Sequence, residues 1–231
     1  MATLLLGPVL LRQGQKARQK ITLLPEPPGD RHGTSGTGPT LNLLIIGDSA
    51  GAGVGAAHQT ESLSGRTVAH LSTDHTVNWR LQARSGSTVP AAMRHLKRLD
   101  PQSFDWVVVS LGANDVVSRH SLAQWRENLD SLRELLDERF DHPQLLFSGL
   151  PPMHLFPALD QPLRWYLGSR AKDFDRVMAD WAAGRERCAR LPMDFPEDPA
   201  LLATDGFHPG PGLYRLWGQA VAQHIQRHSG P

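Results

Sequence analysis

Ser49 lies in Gly47-Asp48-Ser49-Ala50-Gly51, directly after the apolar run Leu41–Ile46. Asp205 and His208 stand three apart in Asp205-Gly206-Phe207-His208, close to the C-terminus. A serine hydroxyl is a weak nucleophile until a base takes its proton, and a histidine is the better base when a carboxylate orients it. The chain offers these groups in the order Ser, Asp, His. A sharp strand-to-helix turn would aim Ser49 outward. Gly206 allows a tight turn and Pro209 keeps His208 out of helical geometry, so carboxylate and imidazole can meet within one local unit. Alone, a serine in a Gly-rich loop is ordinary turn chemistry, and an Asp-Gly pair is an ordinary exposed turn. Together the three groups point to acyl transfer through a serine.

Such groups must be held by a scaffold. From Leu41 onward short apolar runs alternate with longer helical patterns. Strands are expected at Leu41–Ile46, Val77–Ala83, Trp106–Leu111, Gln144–Gly149 and Arg190–Asp194. Helices are expected at Val89–Leu99, Leu122–Phe140, Leu163–Arg187 and Leu213–His228, with Trp125, Leu129, Leu132 and Leu136 spaced as a core face. This alternation implies an α/β fold, a parallel sheet of about five strands covered by helices on both faces. Val107, Val108 and Val109 in series suit a central strand that is buried on both sides. Sites in such sheets lie beyond the carboxyl ends of the strands. Ser49, Ser85-Gly86-Ser87, Gly112-Ala113-Asn114-Asp115 and the Asp205–His208 loop all fall at that end.

Acyl transfer also needs donors for the developing oxyanion. The backbone N–H groups of Gly86 and Ser49 and the side-chain amide of Asn114 are candidates. Asp48 and Asp115 read as structural acceptors in their loops. Gly47-Asp48-Ser49, Gly86 in Ala-Arg-Ser-Gly-Ser-Thr, Asn114 in Leu-Gly-Ala-Asn-Asp, and Asp205-x-x-His208 resemble the four blocks of the SGNH/GDSL hydrolase family, over about residues 41–228. Ala50 departs from the Leu of the name motif. The resemblance implies a flavodoxin-like three-layer α/β/α fold and hydrolysis of carboxylic esters, thioesters or lipid esters without a metal or cofactor. It makes Ser49 the nucleophile, His208 the base, Asp205 its partner, and Gly86, Asn114 and Ser49 the oxyanion donors. An O-acetyl esterase of carbohydrates and a non-catalytic binding domain are alternatives on the same fold. Gly47-x-Ser49-x-Gly51 also fits an α/β-hydrolase elbow, but there several strands precede the serine. Gly51-x-Gly53-x-x-Ala56 resembles a dinucleotide fingerprint set several residues too far from its strand.

The segment from Pro151 to Tyr166 follows the fourth expected strand and is rich in proline and large apolar groups. Its His154, Phe156, Trp165 and Tyr166 are candidates for a substrate pocket wall; otherwise the segment packs the long helix onto the sheet. His224 and His228 have a metal-ligand spacing but no third ligand in sequence, and read as a solvated face.

A chain of 231 residues with 40% apolar composition and a net charge of +1 can bury one full core and shows no field favouring nucleic acid. Cys188 alone excludes a disulfide framework. The expected partner is a small ester or lipid. Pro25–Thr40 reads as a linker or loop. Before it, Met1–Leu11 is apolar, and Arg12, Lys16, Arg18 and Lys20 follow with no acidic residue. That order is the reverse of a secretory signal. It suits a short helix packed on the domain, or a tether lying on an anionic membrane surface. The expected location is the cytoplasm, with membrane attachment through this segment as the alternative.

Overall fold

The computed structural model describes residues 2–20, 24–118 and 120–229. In chain order the elements are α1 (Ala2–Lys20), β1 (His32–Ser35), β2 (Thr40–Gly47), α2 (Leu63–Leu71), β3 (Thr76–Ala83), α3 (Val89–Leu96), β4 (Trp106–Ser110), α4 (Ala113–Val117), α5 (Leu122–Phe140), β5 (Gln144–Ser148), α6 (Leu163–Ala183), β6 (Cys188–Leu191) and α7 (Pro211–His228). The sheet order is β1-β3-β2-β4-β5-β6, with every pair parallel except β1 with β3.

The two-residue period of the strands divides the core in two. β2 turns Leu44 and Ile46 towards α3, α5 and α6, and Leu41, Leu43 and Ile45 towards α2 and α7. β4 does the same with Val107 and Val109 on one side and Trp106 and Val108 on the other. The result is a three-layer α/β/α sandwich with flavodoxin-like strand order. From β2 the chain runs to one neighbour, β3, and then crosses to the other, β4. The crevice between β2 and β4 is therefore the switch point where ligands bind in such sheets.

Local signals explain the helix starts. Ser121 and Gln124 form a reciprocal capping box at the head of α5. Thr88 caps α3, whose first turn also takes Pro90. Trp125, Leu129, Leu132 and Leu136 are fully buried, as their helical spacing predicts.

Two differences from the sequence reading matter. The stretch read as a linker contains β1, a short edge strand against β3. Its four residues carry too little apolar character to announce a strand, which is how edges are usually kept from pairing with strangers. The last strand is Cys188–Leu191 rather than Arg190–Asp194. Pro192 cannot donate to the sheet and the ladder stops before it, which frees residues 192–202 for another task. α1 lies against α6: Leu163 N donates to Gln13 Oε1, Gln13 Nε2 donates to Gln161 O, and Lys16 pairs with Asp160. Of the apolar N-terminal stretch, Met1 and the side chains of residues 2–6 lie outside the described residues, as do those of Arg18 and Lys20. Among the described residues no helix is long and apolar enough to cross a membrane.

Candidate active site

The nucleophile loop is shaped by close backbone approach. A Cβ on Gly47 or Gly51 would come within 2.7 Å of the other's Cα, so neither position tolerates a side chain. Asp48 N donates to Ser110 O, Ala52 N to Asp48 O and Val54 N to Ser49 O. These bonds make a run of turns after β2, not the strand-to-helix elbow expected; the next α-helix begins only at Leu63. With no helix N-terminus behind Gly51 and Gly53, the dinucleotide reading loses its pyrophosphate site. Tyr214, fully buried on α7, donates its hydroxyl to Val54 O at 2.7 Å and Ala50 O at 3.0 Å. It ties the loop to the opposite helix layer. Nothing in the sequence around Tyr214 signals this role.

Ser49 Oγ lies 3.0 Å from His208 Nε2, and His208 Nδ1 lies 2.6 Å from Asp205 Oδ2. The other carboxylate oxygen accepts the backbone N–H groups of Phe207 and His208, both at 3.0 Å. Gly206, at φ +64°, lets the chain fold back so tightly. Burial pushes the Asp205 carboxyl up, but the hydrogen bonds from the His208 side chain and from the two amides outweigh it and hold the group below the usual carboxylate range. It is therefore ionised at neutral pH, and it holds the proton of a neutral His208 on Nδ1. Nε2 is then free to accept from Ser49.

The candidate oxyanion donors are tied to the loop of Ser49 through Asp48 and Ser87. Gly86 has φ +78° and is exposed, and a Cβ there would meet nothing within 4 Å, so the residue stands on an open corner. Asn114 Nδ2 donates to Asp48 Oδ2 at 3.2 Å and to Ser87 O at 3.1 Å. Both bonds lie at the upper end of the ordinary range for amide donors, and an oxyanion drawing on Asn114 must take over one of them. Asp115 is buried and accepts from Val89 N at the head of α3 and faces His120 at 3.3 Å. Asp48 and Asp115 thus act as the structural acceptors expected of them.

Burial pushes Asp48 up to about 7; amide hydrogen bonds oppose this and the neighbouring Asp115 adds to it. The folded value is raised, so the native state holds this proton more tightly than the unfolded chain. The stabilisation is complete below the unfolded value near ~3.9 and is lost as pH rises through about 7. Asp48→Asn cannot ionise. Its melting temperature relative to the parent should therefore rise between about pH 5 and about pH 8. An equal offset at both pH values would mean that Asp48 does not titrate in this window.

Ser49 and His208 open on a cavity of about 190 Å³. Pro151, Pro152, Leu155 and Phe156 wall one side, Met193, Phe195, Leu201 and Leu202 the other, and Leu213 and Trp217 complete it. Of the residues expected in the wall, Phe156 is there and the other three are not. His154 packs against Gly168, Tyr166 packs on the core beside Arg170, and Trp165 is 51% exposed at the start of α6. The helical turn after Leu163 carries Trp165 and Tyr166 away from the cavity. The second wall was missed. Met193 and Phe195 between Pro192 and Pro196, at the carboxyl end of the last strand, are the signal that would have found it.

No group of three or more candidate metal ligands occurs among the described residues. His224 and His228 stack at 4.3 Å, and His224 sets its ring edge-on to Trp106, so it is half-buried rather than solvated. Burial, with His228 and Arg227 adding, lowers it to about 4.

A flavodoxin-like sheet with a serine, histidine and aspartate in hydrogen-bond contact at its switch point defines the SGNH class of hydrolases. The chain matches the GDSL-like lipase/acylhydrolase family over residues 45–216 and belongs to that family. A search among curated proteins finds no match. Among solved structures it is similar to a lipolytic protein of the G-D-S-L family from Veillonella parvula, at 13% identity and TM-score 0.65, covering 81% of this chain and 99% of that one. It is also similar to the psychrotrophic esterase EstA from Pseudoalteromonas, inhibited by monoethylphosphonate, at 18% identity and TM-score 0.62, covering 80% and 97%. A third is an acetylxylan esterase from Geobacillus stearothermophilus, at 17% identity and TM-score 0.59, covering 82% and 95%. At these identities the likeness is one of fold.

Proposed function

We propose that this protein hydrolyses carboxylic esters with an apolar acyl group, through an acyl-enzyme on Ser49. The observation that carries the reading is the unbroken contact Ser49–His208–Asp205 at the mouth of an apolar cavity. Ser49 Oγ attacks the carbonyl carbon while His208 Nε2 takes its proton. The N–H groups of Ser49 and Gly86 and the amide of Asn114 hold the oxyanion. His208 returns the proton to the leaving alkoxide. Water, activated by the same nitrogen, then releases the acid.

The cavity walls point to the acyl side. Each methylene moved from water into such a cavity is worth roughly 0.8 kcal/mol, or about fourfold in kcat/KM. On a series of p-nitrophenyl esters, kcat/KM should climb by about that factor per methylene from acetate upward, then level off once the cavity is full. Phe156→Ala should move the plateau to longer chains, and Trp165→Ala, outside the cavity, should not. A series that peaks at acetate would favour an O-acetyl esterase instead.

The N-terminal helix adds a proposal about location. α1 has no acidic residue, and its Val9 and Leu11 are 44% and 65% exposed. We propose that this exposed stretch of the helix touches an anionic lipid surface. Val9→Asp with Leu11→Asp should reduce sedimentation with phosphatidylglycerol vesicles and leave turnover of soluble esters intact. Equal sedimentation of parent and variant would refute the contact.

A further inference from the structure

We infer that Glu26, held by Arg31, is a positioning residue that fixes the Arg84–Ser87 turn and so aims the Gly86 N–H at the oxyanion. The inference rests on the esterase reading above and extends it to a stretch outside the family match, which begins at residue 45. Ser87 N donates to Arg84 O at 3.2 Å, and Gly86, third in the turn, has φ +78°. That is the pattern of a type II turn, in which the central peptide is flipped relative to type I. The flip decides which way the Gly86 N–H points. Arg84, Ser85 and Gly86 are all exposed, so packing does little to hold the corner.

Glu26 holds it instead. One oxygen, Oε1, accepts both the backbone N–H and the hydroxyl of Ser85, each at 2.8 Å. The other, Oε2, accepts from Arg31 Nη1 at 3.0 Å, and Arg31 Nη2 donates to Ala83 O at the end of β3. Ser85 and Gly86 make no other hydrogen bond among the described residues. Arg31 is itself fixed, because its carbonyl accepts from Leu81 N beside β1. The Glu26 backbone is fixed too. Pro25, Pro27 and Pro28 restrict the chain around it, and the buried Gln59 donates its backbone N–H to Pro28 O at 2.9 Å. Burial opposes ionisation of Glu26, but the Ser85 donors and the Arg31 charge outweigh it, so the group is a carboxylate at neutral pH. At its far end the same turn receives Asn114 through Ser87 O. The turn is thus anchored on one side by the second oxyanion donor and on the other by Glu26. The edge strand and its proline-rich approach form a brace for the catalytic corner.

A donor that must meet charge only in the transition state loses its value if it drifts by an ångström. With the full-length protein and its best p-nitrophenyl ester, Glu26→Ala should lower kcat by roughly 10–100-fold, part of what one oxyanion donor supplies. KM should stay within about threefold. Affinity for an alkyl trifluoromethyl ketone, which adds to Ser49 as a tetrahedral oxyanion, should fall by the same factor as kcat/KM. Glu26→Gln keeps an acceptor for Ser85 and should recover most of the loss. Unchanged kcat in Glu26→Ala, or a loss confined to KM or to the melting temperature, would overturn the proposal. Should Glu26→Ala fail to fold, Glu26→Leu decides: it keeps the bulk but offers no acceptor to either Ser85 donor, and undiminished kcat and ketone affinity would refute the brace. Fluorophosphonate labelling of the parent separates the two readings. No adduct on Ser49 and no turnover would bring down the esterase reading, and this inference with it. Labelling with turnover leaves Glu26 to be judged by its own variants.

Discussion

Ser49→Ala should lower kcat on any accepted ester by roughly 10⁴–10⁶-fold, with KM little changed. Among the described residues no other hydroxyl contacts His208 Nε2: Ser49 Oγ is the atom placed there. His208→Ala should cost about as much, because an unactivated hydroxyl and an absent one are nearly equivalent. The double variant should then be hardly worse than either single one. Groups that act as one unit are strongly non-additive in this way. The residual rate, on the order of 10³ over water, would come from the oxyanion donors and from binding. Losses that simply multiply would show that Ser49 and His208 act independently and that the 3.0 Å contact carries no proton. The fold should be indifferent, since Ser49 Oγ makes no hydrogen bond among the described residues other than the one to His208.

The site was legible in sequence to the extent that its chemistry is local. Asp205 and His208 lie within one tight turn, so their pairing follows from spacing and from Gly206. Ser49 joins them because parallel strands deliver their loops to one edge of a sheet, and the strand pattern of β2 and β4 was plain from their apolar runs. Asn114 followed by the same reasoning. What spacing could not reveal depends on long-range contacts between ordinary-looking residues. Glu26 sits among prolines that suggest a linker, and only the register of β1 against β3 brings it to Ser85. Tyr214 looks like one more apolar residue of α7 until its hydroxyl meets Val54 O. Of the four expected wall residues only Phe156 lines the cavity, for a geometric reason. Phe156 lies on the loop itself, whereas Trp165 and Tyr166 belong to a helix whose turn rotates them away. The apolar pattern carries the expected strand through Asp194 and hides the wall formed by Met193 and Phe195. Pro192 should have ended that strand sooner.

Asp205→Asn should lower kcat by roughly 10⁴-fold at neutral pH with the fold intact. The argument turns on how the two carboxylate oxygens are used. Oδ1 accepts two backbone N–H groups, so in the variant the amide oxygen must take that place. The NH₂ then faces His208 Nδ1, at the position now 2.6 Å away, and that nitrogen has to accept. A neutral imidazole that accepts at Nδ1 carries its proton on Nε2, and it cannot take a proton from Ser49. The amide therefore enforces the wrong tautomer, where a small apolar residue would leave the choice to water. Asp205→Ala should accordingly be no worse than Asp205→Asn, although it removes more. Stability gives an independent reading. The folded Asp205 is held below the usual range, so its contribution is present above the unfolded value near ~3.9 and is lost as pH falls through the lower folded one. The melting-temperature gap between the parent and Asp205→Asn should therefore narrow on acidification. If kcat of Asp205→Asn stayed within about tenfold of the parent, His208 would not need Asp205 to set its tautomer.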